Sequence, residues 1–219
     1  MGITRKIKFS GGLEGSNPEK VIFTADRNYV LYNNNQILNI APIEYNSYFK
    51  TLAADFESIQ AGMHHNELIY LFMRSGNISV FDLNKKQFIK KEVSPVSLFS
   101  GDPASIKDIP FKDIRTILPA YGNYTNTQWI LLRDMRLLEV NFDTKRVTLR
   151  DINNSPFISI VNNLPFNVNE IIAGTNSGGA RTLFLTNRRY ADVDSSFRVI
   201  DKVKNLEEHP IFGRYFAVQ

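Results

Sequence analysis

The chain has 219 residues, 43% of them hydrophobic, with a formal net charge of +4 and no cysteine. That is enough apolar content for one sizeable core, while the missing cysteine excludes disulfides, thiolate metal sites and cysteine nucleophiles, which favours a reducing interior or a virion over secretion. The charge falls short of the dense basic stripe that nucleic acid requires, and no window approaches the ~18 apolar residues of a membrane span.

Residues 1–13 read as an extended arm, with Ile3 to Phe9 as a short strand ahead of Ser10-Gly11-Gly12-Leu13. Arg5, Lys6 and Lys8 have no apolar run behind them, so this stretch does not read as a signal peptide. Short β-rich runs then follow in four groups of four. Group one is Lys20–Thr24, Tyr29–Tyr32, Gln36–Ile40 and Tyr45–Thr51, with Asn33-Asn34-Asn35 as a tight turn. Group two is Phe56–Ala61, Glu67–Met73, Asn77–Phe81 and Gln87–Val93. Its second run is almost wholly apolar, as expected of a strand covered on both faces. A proline-containing linker, 94–110, includes a short helical turn at Asp102–Lys107 with Pro103 in its first position. Group three is Asp113–Leu118, Gln128–Leu132, Arg136–Asn141 and Arg146–Arg150. An ordered loop spans Asn153–Asn169, and group four is Glu170–Ala173, Arg181–Leu185, Tyr190–Val193 and Phe197–Ile200. One more helical turn is predicted over Lys202–Glu208, and Phe212–Val218 reads as a spare extended strand.

The groups echo one another. Gly76–Lys86 recurs about 60 residues on as Met135–Arg146, with Val80 answering Val140, Asn84 answering Thr144, and Lys85-Lys86 answering Lys145-Arg146. A hairpin recurring at a long period points to radial repetition. The predicted fold class is therefore all-β: a β-propeller of four blades of four antiparallel strands, one domain over residues 14–219, closed by its termini.

Over residues 18–203 this pattern resembles four-bladed propellers of the hemopexin-like type. The chain lacks the disulfide that joins first and last blades there, and Ala53-Ala54-Asp55-Phe56 is the nearest approach to the family's Asp-Ala motif. The resemblance thus implies architecture and not haem or metal binding. Ile7-Lys8-Phe9-Ser10-Gly11-Gly12-Leu13 resembles the start of tail and tail-nozzle proteins of short-tailed bacteriophages, which implies a structural virion subunit.

Catalytic signatures are missing from the sequence. His64-His65 reads as a surface turn, His209 as part of the cap of the Lys202–Glu208 turn, and Asn176-Ser177-Gly178-Gly179 as a hairpin connection lacking the Lys-Ser/Thr pair of a phosphate loop. Asp192 and Asp194 share a strand face without companions. No catalytic, cofactor or metal residue is assigned. Strand aromatics such as Phe72, Phe81 and Phe184 are expected between blades, and loop aromatics at partner contacts. The expected partner-binding residues are Arg5, Ile7, Phe9 and Leu13 in the arm, Tyr121 and Tyr124 in a loop, and Phe212, Tyr215 and Phe216 at the C-terminus. The functional expectation is a non-catalytic structural subunit in a virion or the cytoplasm. It would bind other protein subunits, copies of itself included, by strand addition and burial of aromatics. A carbohydrate- or small-ligand-binding propeller is the alternative.

Overall fold

Strands that alternate apolar side chains between two faces give sheets that need a neighbour on each side, and a ring of sheets supplies one. The computed structural model describes residues 7–12, 20–33, 36–101, 103–118, 127–154, 157–177, 180–194 and 196–217. Among these, sixteen strands form four four-stranded antiparallel sheets, each built from consecutive strands and arranged as the blades of a propeller.

Blade one is β1 (Ile7–Gly12), β2 (Lys20–Thr24), β3 (Asn28–Tyr32) and β4 (Ile37–Pro42). Blade two is β5 (Ile59–His65), β6 (Leu68–Met73), β7 (Ile78–Asp82) and β8 (Gln87–Val93). Blade three is β9 (Ile114–Leu118), β10 (Thr127–Leu132), β11 (Arg136–Asn141) and β12 (Arg146–Asp151). Blade four is β13 (Ile171–Ser177), β14 (Ala180–Leu185), β15 (Arg189–Val193) and β16 (Lys204–Asn205). The first strands meet around the axis: β1 packs against β5 and β13, and β9 against the same two.

Group three folds as expected; in group two the first strand is Ile59–His65 and not Phe56–Ala61, because Phe56–Ser58 is a 3-10 turn; and groups one and four need correction. Tyr45–Thr51 is not a strand; 3-10 turns at Ile43–Tyr45 and Lys50–Leu52 occupy it, burying Ile43 and Leu52 beneath the chain. The missing strand is β1, so the segment expected as a separate arm supplies the innermost strand of blade one. In blade four the outer strand is Lys204–Asn205 and not Phe197–Ile200, although Val199 forms an isolated bridge with Val193. Asp194 accepts hydrogen bonds from the backbone N–H groups of Ser196 and Arg198, which curls that stretch into a turn. The turn predicted at Asp102–Lys107 is α1 (Pro103–Lys107), Asp102 lying outside the described residues. The Asn153–Asn169 loop holds α2 (Phe157–Asn163), and of Lys202–Glu208 only Leu206–Glu208 is helical, as a 3-10 turn. The Asn33 turn closes through the Gln36 N–H to Asn33 Oδ1, with Asn34 and Asn35 outside the described residues.

The hairpin echo is real but shifted by one residue. Asp82 Oδ1 accepts from the Lys85 N–H, and Asn141 Oδ1 accepts from the Thr144 N–H, both at 2.9 Å. The left-handed residues that follow are Lys86 (φ 56°) and Lys145 (φ 53°). Asp82 therefore corresponds to Asn141, and the turn chemistry sets the alignment in place of the paired cations.

Four apolar clusters fill the four gaps between blades. Phe23, Tyr29, Leu71 and Phe81 fill the gap between blades one and two, joined by Phe49 and Phe56 from the linker; Phe23 meets Phe49 edge to face at 5.0 Å. Phe72, Val80, Ile130 and Leu138 fill the next, with Phe99 and Phe111. Trp129, Leu137, Leu183 and Val193 fill the third, with Phe166. Along β6, Ile69, Leu71 and Met73 serve one cluster and Phe72 the next, as the uniformly apolar run predicts.

The fourth gap decides closure. Ile22, Val30 and Tyr32 of blade one face Ala173, Phe184 and Tyr190 of blade four, and between them lie Leu206, Phe212 and Tyr215. Phe212 sits 4.7 Å from the Tyr32 ring and 5.7 Å from Phe184. The C-terminal segment is not the extended strand expected; after the 3-10 turn it forms α3 (Gly213–Ala217). No strand is exchanged between first and last blades among the described residues. Closure comes instead from β1 against β13 and from this apolar plug. At Gly213 any Cβ would fall 2.1 Å from the Glu207 carbonyl oxygen, so only glycine allows so tight a return.

Phe212→Ala should lower stability by about 3–5 kcal/mol in urea unfolding, the range for emptying a buried aromatic site. Gly213→Ala should also destabilise, whereas an exposed-site control such as Lys107→Ala should lie within about 0.5 kcal/mol of the parent.

Candidate functional site

Blades two, three and four enter the ring by one repeated device. Phe56-Glu57-Ser58-Ile59-Gln60-Ala61, Phe111-Lys112-Asp113-Ile114-Arg115-Thr116 and Val168-Asn169-Glu170-Ile171-Ile172-Ala173 each make a 3-10 turn that runs into an inner strand. The isoleucine is buried in all three. The N–H groups of Arg74, Arg133 and Thr186, opening the β6–β7, β10–β11 and β14–β15 turns, donate to the carbonyls of Ser58, Asp113 and Glu170. Leu206-Glu207-Glu208-His209 is a further copy, with the Asn205–Glu208 capping box matching Asn167–Glu170. There the next residues turn away into the plug.

Immediately after entry, every inner strand carries a β-bulge. The pairing skips Lys8 between Ile7 and Phe9, Gln60 between Ile59 and Ala61, Arg115 between Ile114 and Thr116, and Ile172 between Ile171 and Ala173. A bulge takes one residue out of the ladder and re-aims it. These four positions therefore ring one end of the channel. Gln60 uses the freedom to donate to the carbonyl of Phe111 in the next entry turn, at 2.6 Å. Across the next junction Thr116 Oγ1 donates to the Ile172 carbonyl at 3.0 Å. Sequence reading missed this ring because it scored strands by composition; the spacing of an apolar residue three before a buried isoleucine was the available signal.

Two histidines sit in apolar surroundings. His64-His65 ends β5, with the turn beginning at Asn66; it is not the surface turn expected. His64 Nε2 is buried without a hydrogen-bond partner, while His65 stacks on Phe142 at 4.3 Å. His209 is buried in the plug, where its Nδ1 accepts from the N–H groups of Ile211 and Phe212 at 3.1 and 3.3 Å. Tyr190 and Phe212 flank its ring, each at 4.6 Å. Burial lowers both imidazoles to about 4; beside His64 the neighbouring His65 adds to the effect, and beside His209 Asp192 opposes it. Asp192 itself accepts from Thr182 Oγ1 at 2.7 Å. Among the described residues no three His, Asp or Glu side chains gather where they could hold a metal, and no helix is long and apolar enough to cross a membrane.

Of the expected contact residues, Arg5, Leu13, Tyr121 and Tyr124 lie outside the described residues, and Ile7 and Phe9 are placed only as positions on β1. Phe212 and Tyr215 are buried in the plug, which makes them part of the ring in this chain; Phe216 is placed only as a position on α3. The structure instead exposes an apolar surface on blade one. Leu38 and Ile40 on β4 are 38% and 40% exposed, and Tyr45 and Tyr48 just after it are 83% and 43% exposed. Lys86 lies over the Tyr48 ring at 4.3 Å. β4 has no charged residue, whereas the outer strands β8, β12 and β16 carry Lys90 and Lys91, Arg146 and Arg150, and Lys204. Charge on an edge strand discourages further pairing, so β4 is the edge left open to it. A cleft of about 380 Å³ lies between the β6–β7 turn and the linker to blade three, lined by Gly76, Asn77, Pro95, Lys107 and Lys112.

No family model and no curated protein matches the chain. Among solved structures it is similar to the computationally designed Ika4 protein, with 10% identity and a TM-score of 0.31 over 88% of this chain and 93% of that one. It is also similar to the extracellular domain of BT4673 from B. thetaiotaomicron, with 15% identity and a TM-score of 0.39 over 94% of this chain. A further similarity, to the extracellular domain of BT3049 from the same organism, has 9% identity and a TM-score of 0.36 over 91% of this chain. The chain spans only 22% and 25% of those two B. thetaiotaomicron chains.

The histidines give a signed pH dependence. Both are neutral in the native state down to about 4 and protonate near 6.5 when unfolded, so the unfolded chain binds more protons between those values. Their contribution is complete above pH ~6.5 and is lost as pH falls towards ~4. Urea titrations from pH 7 to 4 should show stability falling by a few kcal/mol, and His209→Gln should flatten part of that slope.

Proposed function

We propose that the chain is a non-catalytic protein-interaction module of a larger assembly, and that a partner docks on blade one by adding an extended strand to β4. The observation that carries this reading is the uncharged free edge of β4, flanked by exposed Tyr45 and Tyr48. Backbone N–H and C=O groups along Ile37–Ala41 would supply the hydrogen bonds, and Leu38, Ile40 and the two tyrosines the apolar contact. Pro42 has no N–H to offer and would end the pairing. The strand-addition mechanism expected of the termini is thereby moved to an internal edge, since β1 lies within a sheet and Phe212 within the core. A viral or phage particle is the context proposed from the N-terminal resemblance.

The test is site-directed photo-crosslinking from position 38 or 45 in the producing cell, with mass-spectrometric identification of the adduct. One discrete protein partner, or a second copy, is expected. Ile40→Lys should abolish the adduct while changing stability by no more than about 0.5 kcal/mol. The absence of an adduct, or one that persists in Ile40→Lys, overturns the reading.

A further inference from the structure

Arg115 is a described arginine whose setting the fold does not explain. It occupies the bulged position of β9 at the channel end, where Gln60 in blade two is satisfied by a carbonyl. Its Nε is buried and has no hydrogen-bond partner. The backbone of a second arginine runs alongside: Arg133 opens the β10–β11 turn, one residue after Leu132 pairs with Ile114, and its N–H donates to the Asp113 carbonyl at 2.9 Å. Burial, and secondarily the charge of Arg133, hold the Arg115 guanidinium below its ordinary value.

The nearby carboxylates do not resolve this. Asp134 is engaged with Arg136 at 2.6 Å, Glu170 pairs with Arg189, and Asp113 forms no ion pair with either arginine among the described residues. Elsewhere Arg27, Arg150 and Arg188 each meet a glutamate. An anion held between the two side chains would offset the desolvation of Arg115 and the repulsion between their charges.

We propose that Arg115 and Arg133 form an oxyanion-binding site at the bulged end of the channel, taking a phosphate or phosphomonoester group. A guanidinium presents its N–H donors as a planar fork that matches two oxygens of such a group, and two forks can hold it from two sides. The bulge supplies one arm by lifting residue 115 out of the ladder, and the turn after β10 supplies the other. Exposed Lys112, three residues before Arg115, adds positive potential to the approach. The site does not depend on the β4 reading; it is a separate surface at the axis.

The experiment follows the Arg115 Nε–H resonance and the unfolding midpoint during titration with inorganic phosphate and, separately, with O-phosphoserine, at constant ionic strength. Both should shift the resonance and raise the midpoint, with a Kd of ~1 mM or tighter. A response to phosphoserine alone assigns the site to a phosphorylated group, and a response to phosphate alone to the free ion. Arg115→Gln should weaken binding at least tenfold while leaving the ligand-free protein as stable as the parent or more so, because it removes an unpaired charge. Arg133→Gln, at an exposed position, should weaken binding without a folding defect. Equal midpoint shifts in parent and both variants would reveal an adventitious ion only. That result, or no response in the parent, overturns the proposal.

Discussion

Closure of the ring is the constraint on which the remainder of the molecule depends. Each blade is a sheet with two apolar faces, so a single uncovered interface would leave two faces in water. Three of the four gaps lie between blades joined by a linker, and each linker sends aromatics such as Phe56, Phe111 or Phe166 into its gap. The gap between blades four and one has no linker through it. The chain fills it with a copy of the entry turn, Leu206–Glu208, followed by Phe212 and Tyr215. His209 holds that segment in place only while its Nδ1 carries no proton, because it accepts two backbone N–H groups there. Closure of the ring is thus coupled to pH through His209, in addition to the pH dependence that buried His64 contributes.

Closure also determines where function can reside. Residues that look like contacts in an isolated string, Phe212 and Tyr215 above all, are consumed by the fold. Two of the exposed features that remain differ in chemistry. Blade one presents an edge strand with no charge to discourage pairing, next to tyrosines in water. The bulge of β9 presents Arg115 at a position skipped by the ladder pairing. The first suits a polypeptide and the second a small anion.

Much of the architecture was legible in the sequence because β-strand composition and turn chemistry are local. Group three and the last three strands of group two were readable almost to the residue, since polar turns such as Asp82–Gln87 and Asn141–Arg146 bound them sharply, whereas the first strand of group two was placed several residues early. Groups one and four were misread at their ends for one reason. Tyr45–Thr51 and Phe197–Ile200 are as β-rich as true strands, but the Asn46 and Asp194 side chains accept backbone N–H groups of the residues that follow and curl both stretches into turns. The short turn at Pro103 was readable from its proline; α2 was passed over although Ser155-Pro156 stand just before it in the sequence.

What the sequence determined by itself is the all-β class, the division into four blades and the aromatic filling between them, because period-two hydrophobicity and turn residues act over a few positions. Only the tertiary structure decided that residues 7–12 belong inside blade one, that the C-terminus is a plug and not a strand, and that the backbone of Arg133 is tied beside the bulge that carries Arg115. Each of those depends on which edges and faces remain unpaired once the ring has formed, and that is a property of the whole assembly of sheets.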